Sequence, residues 1–192
     1  MTKKTSERLR IKVFGTVQGV GFRPHAFKLA QKLDLSGFVR NDGAGAMIEV
    51  EGDNARLFAQ QLSHETPPGA VINEITVESI LSKPDAGFII ETSFREETRT
   101  CIGPDVATCP DCLTDLFNPD SRFYHYPFVT CAYCGPRLTI TQALPYDRAR
   151  TSMASFAMCA ACAKDYADPN NRRFHAQSLA CPKCGPRLSM EP

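Results

Sequence analysis

Residues 13–27 read VFGTVQGVGFRPHAF and pass from an alternating apolar stretch, through two glycines, into an arginine and a helical pattern. Residues 9–15 alternate apolar with polar or small side chains, which predicts a half-buried strand. Pro24 suits the first turn of a helix, because the N–H that proline lacks has no partner there. The stretch therefore predicts a strand, a glycine-rich turn and a helix whose apolar stripe comprises Phe27, Leu29, Ala30 and Leu33.

The turn in this stretch is a candidate anion-binding site. N–H groups at a helix N-terminus are unpaired and the helix dipole is positive there, so a strand, turn and helix in this order attract oxyanions. Gly19 and Gly21 allow the backbone amides to fold around an oxygen, and Arg23 adds planar donors suited to phosphate. From these residues alone, a tight turn beside a solvated arginine stays open as the alternative.

The rest of the first hundred residues supplies three more strands, a further edge strand and a second helix. Residues 36–43 and 46–52 predict a hairpin around an Asn-Asp-Gly turn. A helix follows, capped by Asp53 or Asn54 and ended by the TPPG at 66–69, and strands are predicted at 71–80 and 88–92. The order βαββαβ predicts an α+β, ferredoxin-like domain with an antiparallel sheet and two helices on one face.

Two segments of this domain resemble the acylphosphatase signature: GTVQGVGFR at 15–23 and GFVRN at 37–41, within a match over roughly residues 8–92. The resemblance implies that Arg23 binds the phosphate and that Asn41 orients the attacking water. It implies a phosphate-binding loop formed by Gln18, Gly19, Val20, Gly21, Phe22 and Arg23.

Acyl phosphates release a carboxylate or carbamate that is stable as an anion, so their hydrolysis needs charge stabilisation and positioned water rather than a general acid. His25 is therefore interpreted as an exposed helix position, and Asp42 and Asp53 as turn and cap residues.

All nine cysteines lie between positions 101 and 184. CPDC at 109–112 and CAYC at 131–134 are followed, fifty positions on, by CAAC at 159–162 and CPKC at 181–184. GPRL recurs as well, and four further positions match: Asp115 with Asp165, Pro119 with Pro169, Arg122 with Arg172, and His125 with His175. The pattern predicts a duplicated module.

Pairs of Cys-x-x-Cys knuckles at this separation typically place four thiolates around Zn²⁺. We predict two structural zinc ions, one bound by Cys109, Cys112, Cys131 and Cys134 and the other by Cys159, Cys162, Cys181 and Cys184. Disulfides are disfavoured without a secretory signal, and redox dithiols are disfavoured by the matched pairs; cross-pairing between the repeats stays open. Cys101 is interpreted as an ordinary thiol, and His125 and His175 as packing residues or contacts outside the metal ligands.

Composition and charge exclude several classes of protein. No apolar run approaches the ~20 residues of a membrane span, and no signal-peptide core follows the N-terminus, so we predict a cytoplasmic protein. With 22 Lys and Arg against 21 Asp and Glu, the formal net charge is +1. Eight zinc-bound thiolates would make residues 101–192 acidic, which disfavours a nucleic acid partner.

The combination of both halves resembles the N-terminal part of the HypF family, the carbamoyltransferases of NiFe-hydrogenase maturation. Further matches are YPF at 126–128, PYDR at 145–148 and RFHAQ at 173–177. The resemblance implies hydrolysis of carbamoyl phosphate to phosphate and carbamate with no cofactor for that step. It further implies ATP-dependent transfer of the carbamoyl group to HypE by YrdC-like and carbamoyltransferase domains that lie outside these 192 residues.

The sequence is accordingly expected to be a fragment of a longer chain. Its expected parts are an acylphosphatase-like domain (1–92), a linker (93–108), a first zinc module (109–138), a connector (139–158), a second zinc module (159–188) and a tail (189–192). Two other functions stay open: a non-enzymatic zinc-dependent scaffold whose cradle binds an anion, and a general acylphosphatase whose zinc modules serve dimerisation or nucleic acid binding.

Overall fold

The computed structural model describes residues 6–83, 85–93 and 100–190. Contacts divide the chain into two units, one comprising Met1–Ile102 with Leu144–Tyr146, the other Gly103–Ala143 with Asp147–Pro192. Leu144–Tyr146 comes from the expected connector, yet its contacts group it with the first unit. Residues 94–99 of the expected linker lie outside the described residues, and no helix among those described is long and apolar enough to cross a membrane.

The first unit is a five-stranded sheet with two helices. Its elements are β1 (Glu7–Thr16), α1 (Phe22–Lys32), β2 (Ser36–Asn41), β3 (Gly45–Gly52), α2 (Ala55–His64), β4 (Val71–Ile80) and β5 (Phe88–Ile90). The strand order is β4-β1-β3-β2-β5. The predicted βαββαβ fold is confirmed, with one difference: β5 pairs in parallel with β2, so the sheet is mixed rather than antiparallel throughout.

Alternation along the central strands builds the core of this unit. Leu9, Ile11 and Val13 of β1 point to one face and are fully buried. The helices cover that face with Ala26 and Leu29 of α1 and with Phe58 and Leu62 of α2. Asn54 is the residue at the start of α2, but its side chain makes no cap; its Nδ2 donates to the carbonyl oxygen of Leu33 at 3.0 Å.

The second unit contains two short α-helices, α3 (Pro110–Phe117) and α4 (Ala160–Ala167), with three 3₁₀ turns at Leu138–Ile140, Arg148–Arg150 and Ser152–Ser155. One apolar cluster joins residues of both repeats, including Phe123, Tyr126, Val129, Met153 and Leu179. The two cysteine repeats therefore share a single core. Each repeat alone is too small to bury a core of its own.

Candidate functional site: an anion cradle and two four-cysteine clusters

The glycine-rich turn connects β1 to α1. Gly19 and Gly21 have φ of 76° and 77°, a left-handed conformation that only glycine adopts without steric cost. Because α1 begins at Phe22, the positive end of its dipole faces the turn. The side chains of Val20 and Phe22 are buried in the core, so any contribution of these two residues to an anion site is through their main-chain N–H groups.

Arg23 and Asn41, the two predicted catalytic residues, converge on one oxygen atom. Arg23 Nη2 donates to the carbonyl oxygen of Tyr146 at 3.0 Å, and Asn41 Nδ2 donates to the same oxygen at 3.1 Å. Arg23 Nη1 lies 3.4 Å from Ser93 Oγ. Arg23 comes from the first turn of α1 and Asn41 from the end of β2, so the fold brings a guanidinium and an amide to a common point.

Gln18 supports the cradle through main-chain contacts. Its Nε2 donates to the carbonyl oxygens of Asp42 and Gly45, at 2.9 and 2.7 Å, and its Oε1 accepts from the N–H of Tyr146 at 2.8 Å. Both the nitrogen and the oxygen of the Gln18 side chain are therefore hydrogen-bonded within the protein. Of the predicted phosphate-binding loop, Gln18 is the member whose side chain ties the turn to the β2–β3 hairpin.

The other polar residues near the turn have structural roles. Asp42 Oδ1 accepts from the N–H groups of Ala44 and Gly45 at 2.9 and 2.8 Å, which stabilises the hairpin turn as expected. His25 is half-buried rather than exposed. Burial lowers the pKa of His25 below 6.5, which keeps the imidazole neutral at physiological pH.

The structure brings the eight predicted metal ligands together in the two predicted groups. Within each group the four sulfur atoms lie within 4.8 Å of one another. Measured Sγ–Sγ distances in the first group are 3.9 Å for Cys109–Cys131, 3.7 Å for Cys131–Cys134 and 3.6 Å for Cys112–Cys134. The second group repeats this pattern, with 3.7, 3.7 and 3.6 Å for its equivalent pairs.

These distances fit zinc and exclude disulfides. A tetrahedron with Zn–S bonds of ~2.3 Å has sulfur–sulfur edges of roughly 3.8 Å, whereas a disulfide requires ~2.05 Å. All nine cysteines are free of disulfides, and Cys101 is exposed and outside both groups. Each four-cysteine group is formed by the cysteines of one repeat, so the alternative of metal sites shared between the repeats is wrong.

Each cluster lies at the start of a helix. Cys109 and Cys159 are the residues that precede α3 and α4, and Cys112 and Cys162 lie in the first turns of those helices. A helix N-terminus stabilises thiolate, the form that binds metal. The local sequence thus places two of the four ligands in each group where their ionised form is favoured.

An arginine from each repeat contacts the cluster of the other repeat. Arg172 Nη1 donates to Cys112 Sγ at 2.8 Å, and its Nη2 contacts Asp115 and the carbonyl oxygen of Asp111. Reciprocally, Arg122 Nη1 lies 3.2 Å from Cys162 Sγ and its Nη2 contacts Asp165. Each arginine thus places positive charge beside the sulfurs of the opposite cluster, where a Zn(Cys)₄ unit carries a charge of −2.

The two equivalent histidines lie beside aromatic rings. His125 stacks on Tyr124 with centroids 3.8 Å apart, and His175 lies 4.7 Å from the rings of Tyr166 and Phe174. Both have positive φ, 53° and 51°, and donate their main-chain N–H to the C-terminal part of the preceding helix. This agrees with the interpretation of packing residues, and neither belongs to a four-sulfur group found among the described residues.

Sequence reasoning missed the roles of Tyr146, Arg122 and Arg172. The matching of Arg122 with Arg172 was itself a signal, because a charged residue retained at equivalent positions of two repeats calls for a common contact. Tyr146 carried no such signal, since its contacts with Gln18, Arg23 and Asn41 span 105 to 128 positions.

Comparisons with known proteins match different parts of the chain to two families. Residues 9–90 match the acylphosphatase family, and residues 108–141 and 158–191 each match the family described as the HypF finger. An acylphosphatase from Thermotoga maritima is 38% identical over 86 residues, which cover 43% of this chain and 94% of that protein. The chain therefore belongs to the acylphosphatase family, and it carries two HypF fingers beside that domain.

Longer relatives combine both parts. Carbamoyltransferase HypF2 from Cupriavidus necator is 52% identical over 154 residues, or 78% of this chain and 19% of that protein. A crystal structure of full-length HypF in the phosphate- and nucleotide-bound form matches 96% of this chain and 25% of its own, with 44% identity and a TM-score of 0.94. The chain spans about a fifth of the length of such curated relatives.

Proposed function

We propose that this chain performs the first step of a HypF-like carbamoyltransferase, the hydrolysis of carbamoyl phosphate to phosphate and carbamate. Regions that correspond to the remainder of the HypF relatives would use ATP to activate the carbamate and transfer the carbamoyl group to HypE, for cyanide ligand synthesis in hydrogenase maturation. The relatives named HypF carbamoyltransferases support this assignment.

The observation that carries the proposal is the convergence of Arg23 and Asn41 on one oxygen atom at the N-terminus of α1. Two N–H donors from different elements, both more than nine-tenths buried, are aimed at the same point. The carbonyl oxygen of Tyr146 occupies that point, and a phosphoryl oxygen or an attacking water that took its place would meet a fixed positive charge and a fixed amide. Preorganised donors of this kind stabilise developing charge more effectively than water does.

The chemistry needs little beyond these groups. The oxygen of water attacks phosphorus, the bond from phosphorus to the acyl oxygen breaks, and its electron pair leaves with carbamate. The attacking oxygen keeps one proton, and the other proton of water passes to a phosphoryl oxygen of the product phosphate. Carbamate is a weakly basic leaving group that departs as an anion at neutral pH, so the step requires no acid to protonate it. The assignment of Arg23 to the phosphoryl oxygens and of Asn41 to the water is part of the proposal.

The two four-cysteine clusters fit structural zinc, and we assign them no part in hydrolysis. Zinc supplies folding free energy, on the order of 10 kcal/mol or more per site in small zinc modules. Each cluster has four protein sulfurs, which leaves no open coordination position for a substrate on a tetrahedral ion.

The test is phosphate release from carbamoyl phosphate by the zinc-loaded chain, with acetyl phosphate for comparison. Arg23→Ala and Asn41→Ala should each lower kcat/KM by about 100-fold or more, the usual effect of removing a preorganised donor. Arg40→Ala is the matched control, because Arg40 lies beside Asn41 on β2 but pairs with Glu91. We expect its kcat/KM to stay within about twofold of that of the unchanged chain, because the ion pair that it loses is with Glu91 and not with Arg23 or Asn41.

Each outcome separates the candidate functions. Release that both alanine variants abolish, with a preference for carbamoyl phosphate, supports the proposal. Equal turnover of acetyl phosphate points to a general acylphosphatase. Absence of release from the folded, zinc-loaded chain favours the scaffold alternative, in which the cradle binds an anion without turnover.

A further inference from the structure

Arg172 of the second repeat contacts both knuckles of the first cluster. Its Nη1 donates to Cys112 Sγ at 2.8 Å, and its carbonyl oxygen accepts from the N–H of Ala132, which lies between Cys131 and Cys134, at 3.1 Å. Cys112 is fully buried, so its thiolate needs a compensating donor. One residue of the second repeat therefore stabilises two parts of the first cluster.

Arg122 of the first repeat makes the equivalent contact with the second cluster. Its Nη1 lies 3.2 Å from the Sγ of Cys162, which is also fully buried, and its Nη2 contacts Asp165 of α4. The main-chain bond has no counterpart, because the position equivalent to Ala132 is Pro182, which lacks an N–H. The guanidinium contact is thus the connection that both repeats make.

The two guanidinium groups are partly shielded from solvent. The side chains of Arg122 and Arg172 are 32% and 25% exposed. Hydrogen bonds between charged groups are stronger than neutral ones, and partial burial reduces their screening by salt. We therefore expect each arginine–sulfur contact to contribute more than an exposed ion pair does.

Each arginine is held in place by the cluster of its own repeat. Arg172 lies between Cys162 and Cys181 in the chain, in the segment that joins the two knuckles of the second cluster, and Arg122 lies in the equivalent segment of the first. A zinc module of this size folds only when it binds its metal. Each arginine–sulfur contact therefore requires both clusters to be formed, because one cluster positions the arginine and the other supplies the sulfur.

We propose that the two clusters bind zinc with positive cooperativity and that Arg122 and Arg172 carry the coupling, as positioning residues that act on the metal through sulfur. Contacts around metal ligands typically account for roughly 10–100-fold in metal affinity. Occupancy of either cluster should therefore raise the zinc affinity of the other at least about tenfold, and the effect is reciprocal. The inference concerns structural metal, so it does not rest on hydrolysis of carbamoyl phosphate.

The test is the distribution of zinc among molecules at half-saturation. Metal-free, reduced protein receives one equivalent of Zn²⁺, and native mass spectrometry then measures the fractions that hold zero, one and two ions. Equal, independent sites leave about half of the molecules with one ion, and independent sites of unequal affinity leave more. Coupling of equal sites lowers this one-ion fraction to roughly a quarter when it is tenfold and to roughly a tenth when it is hundredfold.

Variants of the chain identify the residues that carry the coupling. Arg172→Ala and Arg122→Ala should each raise the one-ion fraction, and the double variant should bring it to about half. Arg187→Ala is the matched control, since Arg187 is an exposed arginine of the second repeat, and it should leave the fraction unchanged. Excess zinc should still load two ions into every variant, which shows that each one folds.

Equilibrium is checked by mixing equal amounts of metal-free and fully loaded chain, which should reach the same distribution. A one-ion fraction clearly below half that rises in the two arginine variants, but not in Arg187→Ala, supports the proposal. A fraction of half or more in the unchanged chain overturns it. A low fraction that persists in the double variant assigns the coupling to the shared core and overturns the role of the arginines.

None of these measurements involves turnover. Failure of the cooperativity therefore leaves the proposed function intact, and absence of phosphate release leaves the cooperativity intact.

Discussion

Substitution of Arg172 should loosen zinc in the cluster of the other repeat. Arg172 belongs to the second repeat, but its guanidinium contacts Cys112 of the first at 2.8 Å. A hydrogen bond to a charged group contributes ~1.5–3 kcal/mol. Contacts that surround metal ligands typically account for roughly 10–100-fold in metal affinity, which is the same range. Arg172→Ala should therefore raise the rate of zinc loss from the first cluster by about 10–100-fold.

The assay follows both clusters in one sample. Zinc-loaded protein is mixed with a chelator and an alkylating reagent, and the labelled cysteines are quantified over time by mass spectrometry of proteolytic peptides. Peptides with Cys109 and Cys112 report the first cluster, and peptides with Cys159 and Cys162 report the second. Arg172→Ala should accelerate labelling of the first pair, and Arg122→Ala, its counterpart, should accelerate labelling of the second.

Arg187→Ala is the matched control, because Arg187 is an exposed arginine three residues after Cys184 in the same repeat as Arg172. It should leave both labelling rates unchanged. The reasoning is refuted if Arg172→Ala behaves like Arg187→Ala, or if it accelerates labelling only within its own repeat.

Three further outcomes follow from the geometry of the two units. Arg8 is 2% exposed and donates two hydrogen bonds to Glu49, at 2.7 and 3.1 Å. Arg8→Ala should therefore lower the free energy of unfolding of the first unit by ~3 kcal/mol, measured by urea unfolding. An unchanged free energy of unfolding would contradict this. Burial lowers the pKa of His25, so the folded unit favours the neutral imidazole. The stability of the unit should therefore fall as the pH drops from about 6.5, the ordinary pKa of histidine, to the lowered pKa of His25. The fall should be smaller in His25→Gln. Chelation of zinc should abolish the near-ultraviolet circular dichroism of the second unit and leave the amide NMR signals of β1–β4 in the first unit unchanged. Loss of those NMR signals as well would show that the first unit also depends on metal.

Much of the fold can be predicted from local patterns of residues. Alternation in β1, the Asn-Asp-Gly turn between β2 and β3, and the glycine-rich turn before α1 depend on neighbouring residues, so periodicity predicts them. The grouping of the eight cysteines was also accessible, because a spacing repeated at fifty positions constrains which knuckles can meet.

Contacts between distant segments could not be predicted from such patterns, because they form only when the chain folds. The parallel pairing of β5 with β2, the reciprocal arginines of the two repeats, and the arrival of Tyr146 at the cradle all join residues that no local pattern relates. Tyr146 illustrates why: its hydrogen bonds with Gln18, Arg23 and Asn41 involve its main chain, and main-chain N–H and C=O groups are the same in every residue except proline, which lacks the N–H. Such bonds leave little imprint on side-chain identity, and only folding brings their donors and acceptors together.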